Sequence, residues 1–140
     1  MLERDYIMRL IREFMAALGK FLEKPEADRD HDEIKDLYRQ YAGDYTFYHT
    51  ATIPEVMESM EQFAPSQRVP RLEILAELYY AEADMLTGPA REMLLDKSLT
   101  LFRFVSEHDK TYSFDRIVKM ERIRKSLDNS HADDTTEASV

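Results

Sequence analysis

Apolar residues recur at helical spacing along most of this chain, and the places where the rhythm stops divide it into segments. From Leu2 to Lys24, the positions Ile7, Ile11, Phe14, Leu18 and Phe21 alternate four and three apart, with Leu10, Met15 and Leu22 widening the stripe. The spacing predicts a helix that Pro25 stops. Met8, Met15 and Leu22 sit off its main seam, so the stripe can meet two helices, or one helix and a second subunit. Asp30 followed by Glu33 has the form of a capping box, and Ile34, Leu37, Tyr38 and Tyr41 make one face of a second helix that Gly43 ends. Tyr45, Phe47 and Tyr48 fit a single helical turn. Thr52, Pro54 and Glu55 open a further helix, capping box and early proline together, which carries Val56, Met57, Met60 and Phe63 inward. Pro65 is expected to end it and Pro70 to restart the chain.

The stretch from Arg71 to Asp109 reads as two helices joined at Thr87-Gly88-Pro89. In the first, Leu72, Leu75, Ala76, Tyr79, Ala83 and Leu86 form one apolar row and Ile74, Leu78, Ala81 and Met85 a second, leaving a narrow polar stripe of Glu73, Glu77 and Asp84. A helix apolar over most of its circumference belongs in the middle of a soluble fold, covered on two sides. Its hairpin partner is amphipathic, with Leu94, Leu95, Leu99, Leu101, Phe102 and Val105 opposite Glu92, Asp96, Arg103 and Glu107. After a break at Lys110-Thr111-Tyr112, Ser113 caps a last helix whose apolar set is Phe114, Ile117, Val118, Met120, Ile123 and Leu127. Nothing from Asn129 onward can be buried, which predicts a disordered tail.

Charge and composition narrow the picture. The net charge is −9, and the four acids after Ser126 (Asp128, Asp133, Asp134, Glu137), with no Lys or Arg among them, leave −5 for residues 1–125. Such a globule repels bulk nucleic acid and anionic lipid. The local exception is the last helix, where Arg116, Lys119, Arg122, Arg124 and Lys125 stand against Glu121; this reads as a solvated basic face masked by Glu73, Glu77 and Asp84 of the hairpin and by the tail. The absence of cysteine removes disulfides and thiolate chemistry, and a charged start with no long apolar run points to a cytoplasmic protein without a membrane span.

The segment Asp5-Tyr6-Ile7-Met8-Arg9-Leu10-Ile11-Arg12-Glu13-Phe14, followed by the hairpin, resembles a family of small bacterial helical proteins known only as a domain of unknown function, over roughly residues 1–125. That resemblance implies a tetratricopeptide-like C-terminal half. Leu75-Ala76 with Tyr79 echoes the Leu-Gly-x-x-Tyr of the repeat's first helix, and Ser98 fits a small packing position in its second. Ala76 stands where the repeat has glycine and no proline closes the unit, so a single atypical repeat is implied, a scaffold without a groove of its own.

Motifs that carry chemistry are scarce. His31, His49, His108 and His131 never fall three or four apart and no Glu-x-x-His occurs, so no metal or other cofactor is expected. Phosphate-binding loops and the hydrolase elbow are absent. Arg103 and His108 reproduce the Arg-x4-His spacing of the helical nucleases of the higher-eukaryote and prokaryote nucleotide-binding (HEPN) fold, although Phe104 replaces the usual polar residue after the arginine. Tyr38, Tyr41, Tyr45 and Tyr48, spaced three, four and three, would line one face if the helix ran through Gly43; a tyrosine stripe is core or interface, and Gly43 favours core.

The sequence therefore predicts one all-α domain over residues 1–127, a bundle of five main helices around a tetratricopeptide-like hairpin, with an acidic disordered tail at 128–140. The functional expectation is a non-enzymatic binding or scaffolding protein whose partner is another protein or a second copy in a homodimer, with Met8, Met15, Leu22, Tyr38, Tyr45 and Tyr48 as interface candidates. The alternatives are a HEPN-type ribonuclease and a regulator that touches nucleic acid through the basic last helix.

Overall fold

A computed structural model describes residues 3–109, 111 and 113–138, with side chains for 5–109, 111 and 113–130. The described residues form seven α-helices and no strand: α1 (Glu3–Glu23), α2 (His31–Tyr41), α3 (Tyr45–Thr50), α4 (Ile53–Ser59), α5 (Pro65–Ala83), α6 (Gly88–His108) and α7 (Phe114–Ala138). Five have 11 residues or more, and α3 and α4 have 6 and 7.

Local chemistry sets most boundaries. Pro25 stops α1, and the Arg29 guanidinium folds back to donate to the carbonyls of Leu22 (2.9 Å) and Lys24 (3.1 Å), oxygens that the helix end leaves without intrahelical partners. Asp30 caps α2 by accepting from the Asp32 amide at 3.0 Å. The capping box expected there is corrected: Glu33 turns away to the Lys24 ammonium at 2.7 Å, where a full charge outcompetes a backbone amide. Gly43 ends α2 at φ +148, and a Cβ there would stand 2.9 Å from the Tyr48 ring, so both its conformation and its surroundings require glycine. The Thr52–Glu55 capping box forms as expected, and the Ser113 hydroxyl accepts from the Arg116 amide at 3.2 Å.

The division at Pro65 and Pro70 is corrected. Pro65 lies in the first turn of α5 and Pro70 lies inside that helix. A proline's fixed φ is helical, and Pro70 packs beside Ile74 over a cleft toward α1, so packing holds a helix that the missing N–H alone would have broken.

The α5 helix is the middle of the molecule. It packs most extensively on α6 across the turn at Gly88, with α1 and α2 on its other side, while α7 lies on α6. Leu72, Ile74, Leu75, Ala76, Leu78, Tyr79, Ala81 and Ala83 are all buried, as a helix apolar on both sides must be. Ser98 on α6 is buried too, its hydroxyl donating to the Ala76 carbonyl at 2.8 Å. The backbone of α7 is helical through Ala138, across most of the stretch expected to be a disordered tail; the side chains of residues 131–140, His131 included, lie outside the described residues.

Candidate functional site

The densest polar constellation converges on Glu82, near the C-terminal end of α5 and fully buried. From α2, His31 Nε2 lies 2.8 Å from its Oε2 and the Tyr38 hydroxyl donates to Oε1 at 2.9 Å. From α3, the Tyr45 hydroxyl donates to Oε2 at 2.5 Å and His49 Nδ1 lies 3.1 Å from Oε1. Helical spacing makes this convergence: His31 and Tyr38 are two turns apart on one face of α2, and Tyr45 and His49 are one turn apart on α3. A carboxylate offers about four lone-pair sites, and these donors fill them.

The carboxylate also sets the state of its neighbours. His31 Nε2 and His49 Nδ1 also lie 3.3 and 3.2 Å from the Tyr45 hydroxyl, and the other ring nitrogen of each points away from Glu82. Burial pushes the Glu82 pKa up, but hydrogen bonds from Tyr45, His31, His49 and Tyr38 outweigh it and leave the value below the ordinary carboxylate range. Burial, with the nearby carboxylate, raises the hydroxyl pKa of Tyr38 and Tyr45, so both stay protonated donors.

Next to this hub, Lys97 holds the C-terminal end of α3. Its ammonium donates to the carbonyls of Tyr48 (3.3 Å) and His49 (3.0 Å) and sits 4.5 Å above the Tyr79 ring, and the Tyr79 hydroxyl reaches the same Tyr48 carbonyl at 2.6 Å. Burial lowers the Lys97 pKa, against the pull of Glu82 and Glu55. A six-residue helix too short to hold itself is thus fixed at both ends by buried polar groups. The Glu82 carboxylate is enclosed by these four side chains. Among the described residues, no group of three or more His, Cys, Asp or Glu is arranged to hold a metal ion.

The tyrosine candidates are corrected by this geometry. Tyr38 and Tyr48 are buried, Tyr38 on Glu82 and Tyr48 with its hydroxyl 3.0 Å from Ser59 Oγ, and Tyr45 is half-buried, so the tyrosines close the core instead of offering a face. Glu82 and Lys97 escaped the sequence reading. Glu82 falls seven residues after Leu75 and four after Leu78, on an apolar row, and an acid in that place is the signal that was there to use.

The α1 candidates lie elsewhere. Met8, Met15 and Leu22 are 50%, 41% and 39% exposed and form a crest along one edge of the buried face of α1. Beside Met15 is a depression of about 120 Å³, lined by Ile11, Phe14, Pro70 and Ile74, with Glu73, Glu77 and Asp115 at its polar side.

The basic helix divides into inner and outer residues. Arg116 is buried and reaches Glu73 (3.3 Å) and Asp109 (3.4 Å), and Lys119 reaches Glu77 (2.6 Å) and Asp115 (2.9 Å). Asp84 instead pairs with Arg91 at 3.5 Å. Arg122 and Lys125 are exposed and without an ion pair among the described residues. Phe114 and Ile117 of the expected apolar set are exposed, because turning α7 to seat Arg116 and Lys119 on α5 leaves Met120 and Ile123 as its buried row. Arg103 is exposed. The His108 ring stacks on Phe104 at 3.9 Å with Nδ1 2.9 Å from that residue's carbonyl, and no hydrogen bond or ion pair among the described residues joins it to Arg103. Among the described residues, no helix is long and apolar enough to cross a membrane. Comparison with protein-family models, with curated proteins and with solved structures finds no match to this chain.

Proposed function

We propose that this protein is a non-enzymatic helical binding or scaffolding protein of the cytoplasm that works through protein–protein contact, with the exposed apolar crest of α1 as the contact surface. The observation that carries the reading is the exposed row Met8, Met15 and Leu22 beside the face of α1 that Ile7, Phe14, Leu18 and Phe21 bury. Exposed apolar side chains in a row, as opposed to singly scattered ones, favour association, and methionine adapts to irregular partners. The Glu82 constellation supports the same reading from the other direction, since its hydrogen-bonding capacity is already spent within the fold. The bond from Ser98 to the Ala76 carbonyl joins the two positions that echo a tetratricopeptide unit, which favours the α5–α6 hairpin as an atypical repeat serving as scaffold.

Purification from the native cells, wild type beside Met15→Glu, tests this proposal. A protein or second copy is expected to accompany the wild type and to be lost from the variant, whose melting temperature stays unchanged; equal recovery from both would overturn it. Nucleic acid is not the expected partner. A random RNA or DNA oligonucleotide should bind with a Kd of about 10⁻⁴ M or poorer at physiological salt. Micromolar binding that weakens with salt and disappears on Arg122→Glu would promote the nucleic-acid reading. Incubation with RNA should give no cleavage, whereas cleavage lost on Arg103→Ala with the fold intact would favour the nuclease.

A further inference from the structure

The shortest of the described α-helices, α3, is also the one least able to hold its own place. It has six residues and lies between Gly43, at φ +148, and Ala51. A helix of that length does not persist once it leaves its neighbours. Hydrogen bonds tie it to the α5–α6 hairpin. The Tyr45 hydroxyl and His49 Nδ1 reach Glu82, the Tyr79 hydroxyl and the Lys97 ammonium reach the Tyr48 carbonyl, and Lys97 also holds the carbonyl of His49. One buried acid and one buried amine of the hairpin are therefore the main points on which α3 is fastened. We infer that α3 is a clasp: the segment from Gly43 to Ala51 opens as a unit while the other helices stay folded, and Glu82 and Lys97 hold it shut.

Three features fit a separable segment. The first is how the partners of Glu82 divide between elements. His31 and Tyr38 come from α2 and stay when α3 leaves, so opening does not strand the carboxylate. The second is what the clasp covers. Its own buried residues are Tyr48 and Ala51, and its other ties end on a carboxylate, an ammonium and a hydroxyl, groups that water takes over on opening. An element held by exchangeable polar contacts and little apolar burial opens before the core does, whereas α5, with Leu72, Ile74, Leu75, Leu78 and Tyr79 all buried, cannot open alone. The third is Gly43, whose backbone freedom suits the end about which the segment turns. Opening frees the Lys97 ammonium from both of its carbonyls and removes two of the four partners of Glu82. The clasp thus conceals an acid and an amine that the shut form keeps occupied.

Thiol labelling of the full chain reads this opening directly, because the chain has no cysteine of its own. Ala51→Cys places a buried thiol in the clasp and Ala83→Cys places one in α5. Without denaturant, Ala51→Cys should react with an aromatic disulfide reagent about 100-fold faster than Ala83→Cys. Tyr45→Phe, which removes one bond to Glu82, and Lys97→Met, which removes the cation on the last carbonyls of α3, should each speed that reaction about tenfold further. Tyr38→Phe separates a clasp from general loosening. It removes a bond to the same carboxylate from α2, which is in place whether the clasp is open or shut, so it should leave the labelling of Ala51→Cys unchanged while speeding that of Ala83→Cys. Should Ala51→Cys disturb the fold, hydrogen exchange at the Ala51 amide, which donates to the Phe47 carbonyl at 2.8 Å in the shut form, reports the same opening in the cysteine-free chain. Equal rates at the two positions, a rate at Ala51→Cys indifferent to Tyr45→Phe or to Lys97→Met, or Tyr38→Phe speeding it as much as Tyr45→Phe does would overturn the inference.

Discussion

Two acids of α5 are buried by different means, and the pair shows what each means costs. Glu77, toward the middle of the helix, faces the Lys119 ammonium at 2.6 Å, whereas Glu82, one and a half turns on, faces His31, Tyr38, Tyr45 and His49. Burial, with the nearby Asp115 and Glu73 carboxylates, raises the Glu77 pKa against the pull of Lys119, while at Glu82 the hydrogen bonds outweigh burial and the pKa falls. One cation brings its own desolvation penalty into the interior and supplies a single point of attraction. Donors arranged around both oxygens replace the water that the carboxylate gave up, and two of them come from tyrosines with no charge to bury.

The comparison is broken most sharply by removing Glu82. Glu82→Ala should cost about 3 to 5 kcal/mol in urea unfolding, because it leaves several donors unpaired at once. Leu75→Ala, which removes only packing from the same helix, sets the scale at about 2 to 5 kcal/mol. Lys119→Met should cost about 1 to 3 kcal/mol, since Glu77 can take up a proton once its partner is gone. A Lys119→Met loss larger than that of Glu82→Ala would reverse the ranking of the two sites.

Acid titration separates them by sign. Glu82 has a lowered folded pKa, so its stabilisation is present above the unfolded value near 4.5 and disappears as pH falls through the folded value. Glu77 has a raised folded pKa, so its ionisation costs stability at neutral pH and that cost is relieved as pH falls toward 4.5. Stability measured from pH 7 downward should rise slightly and then drop below pH 4.5. Glu77→Gln should remove the rise and Glu82→Gln should blunt the drop; the opposite assignment would show that the pKa directions are wrong. The smallest effect is expected beyond both sites, where truncation after Leu127 should change stability by no more than about 0.5 kcal/mol. A larger loss would show that the hydrogen bond from the Ser130 hydroxyl to Glu92 of α6 contributes more than a surface contact does.

How far the sequence could be read differs between these sites for the same reason that their energetics differ. The masking of the basic helix by Glu73 and Glu77 was legible, because opposite charges on neighbouring amphipathic helices attract at long range in any register that packs them. The Glu82 constellation was not. His31, Tyr38, Tyr45 and His49 look like two unrelated pairs at helical spacing, and the acid that joins them lies 33 to 51 residues further along the chain. Hydrogen bonds act over about 3 Å and carry no signature in composition.

The sequence by itself determined the all-helical class, most of the caps, the glycine at position 43 and the central place of the first hairpin helix, since all of these follow from local sterics and from the fraction of a helix surface that must leave water. Only the tertiary structure decided that α5 runs through Pro70, that Phe114 and Ile117 face outward, and that Tyr38 and Tyr45 meet on Glu82. Each of those outcomes depends on how a helix is rotated and on what its neighbour offers. A helix's periodicity states which residues share a face, but the partner that covers the face is chosen by packing and by the pairing of buried polar groups across the whole fold.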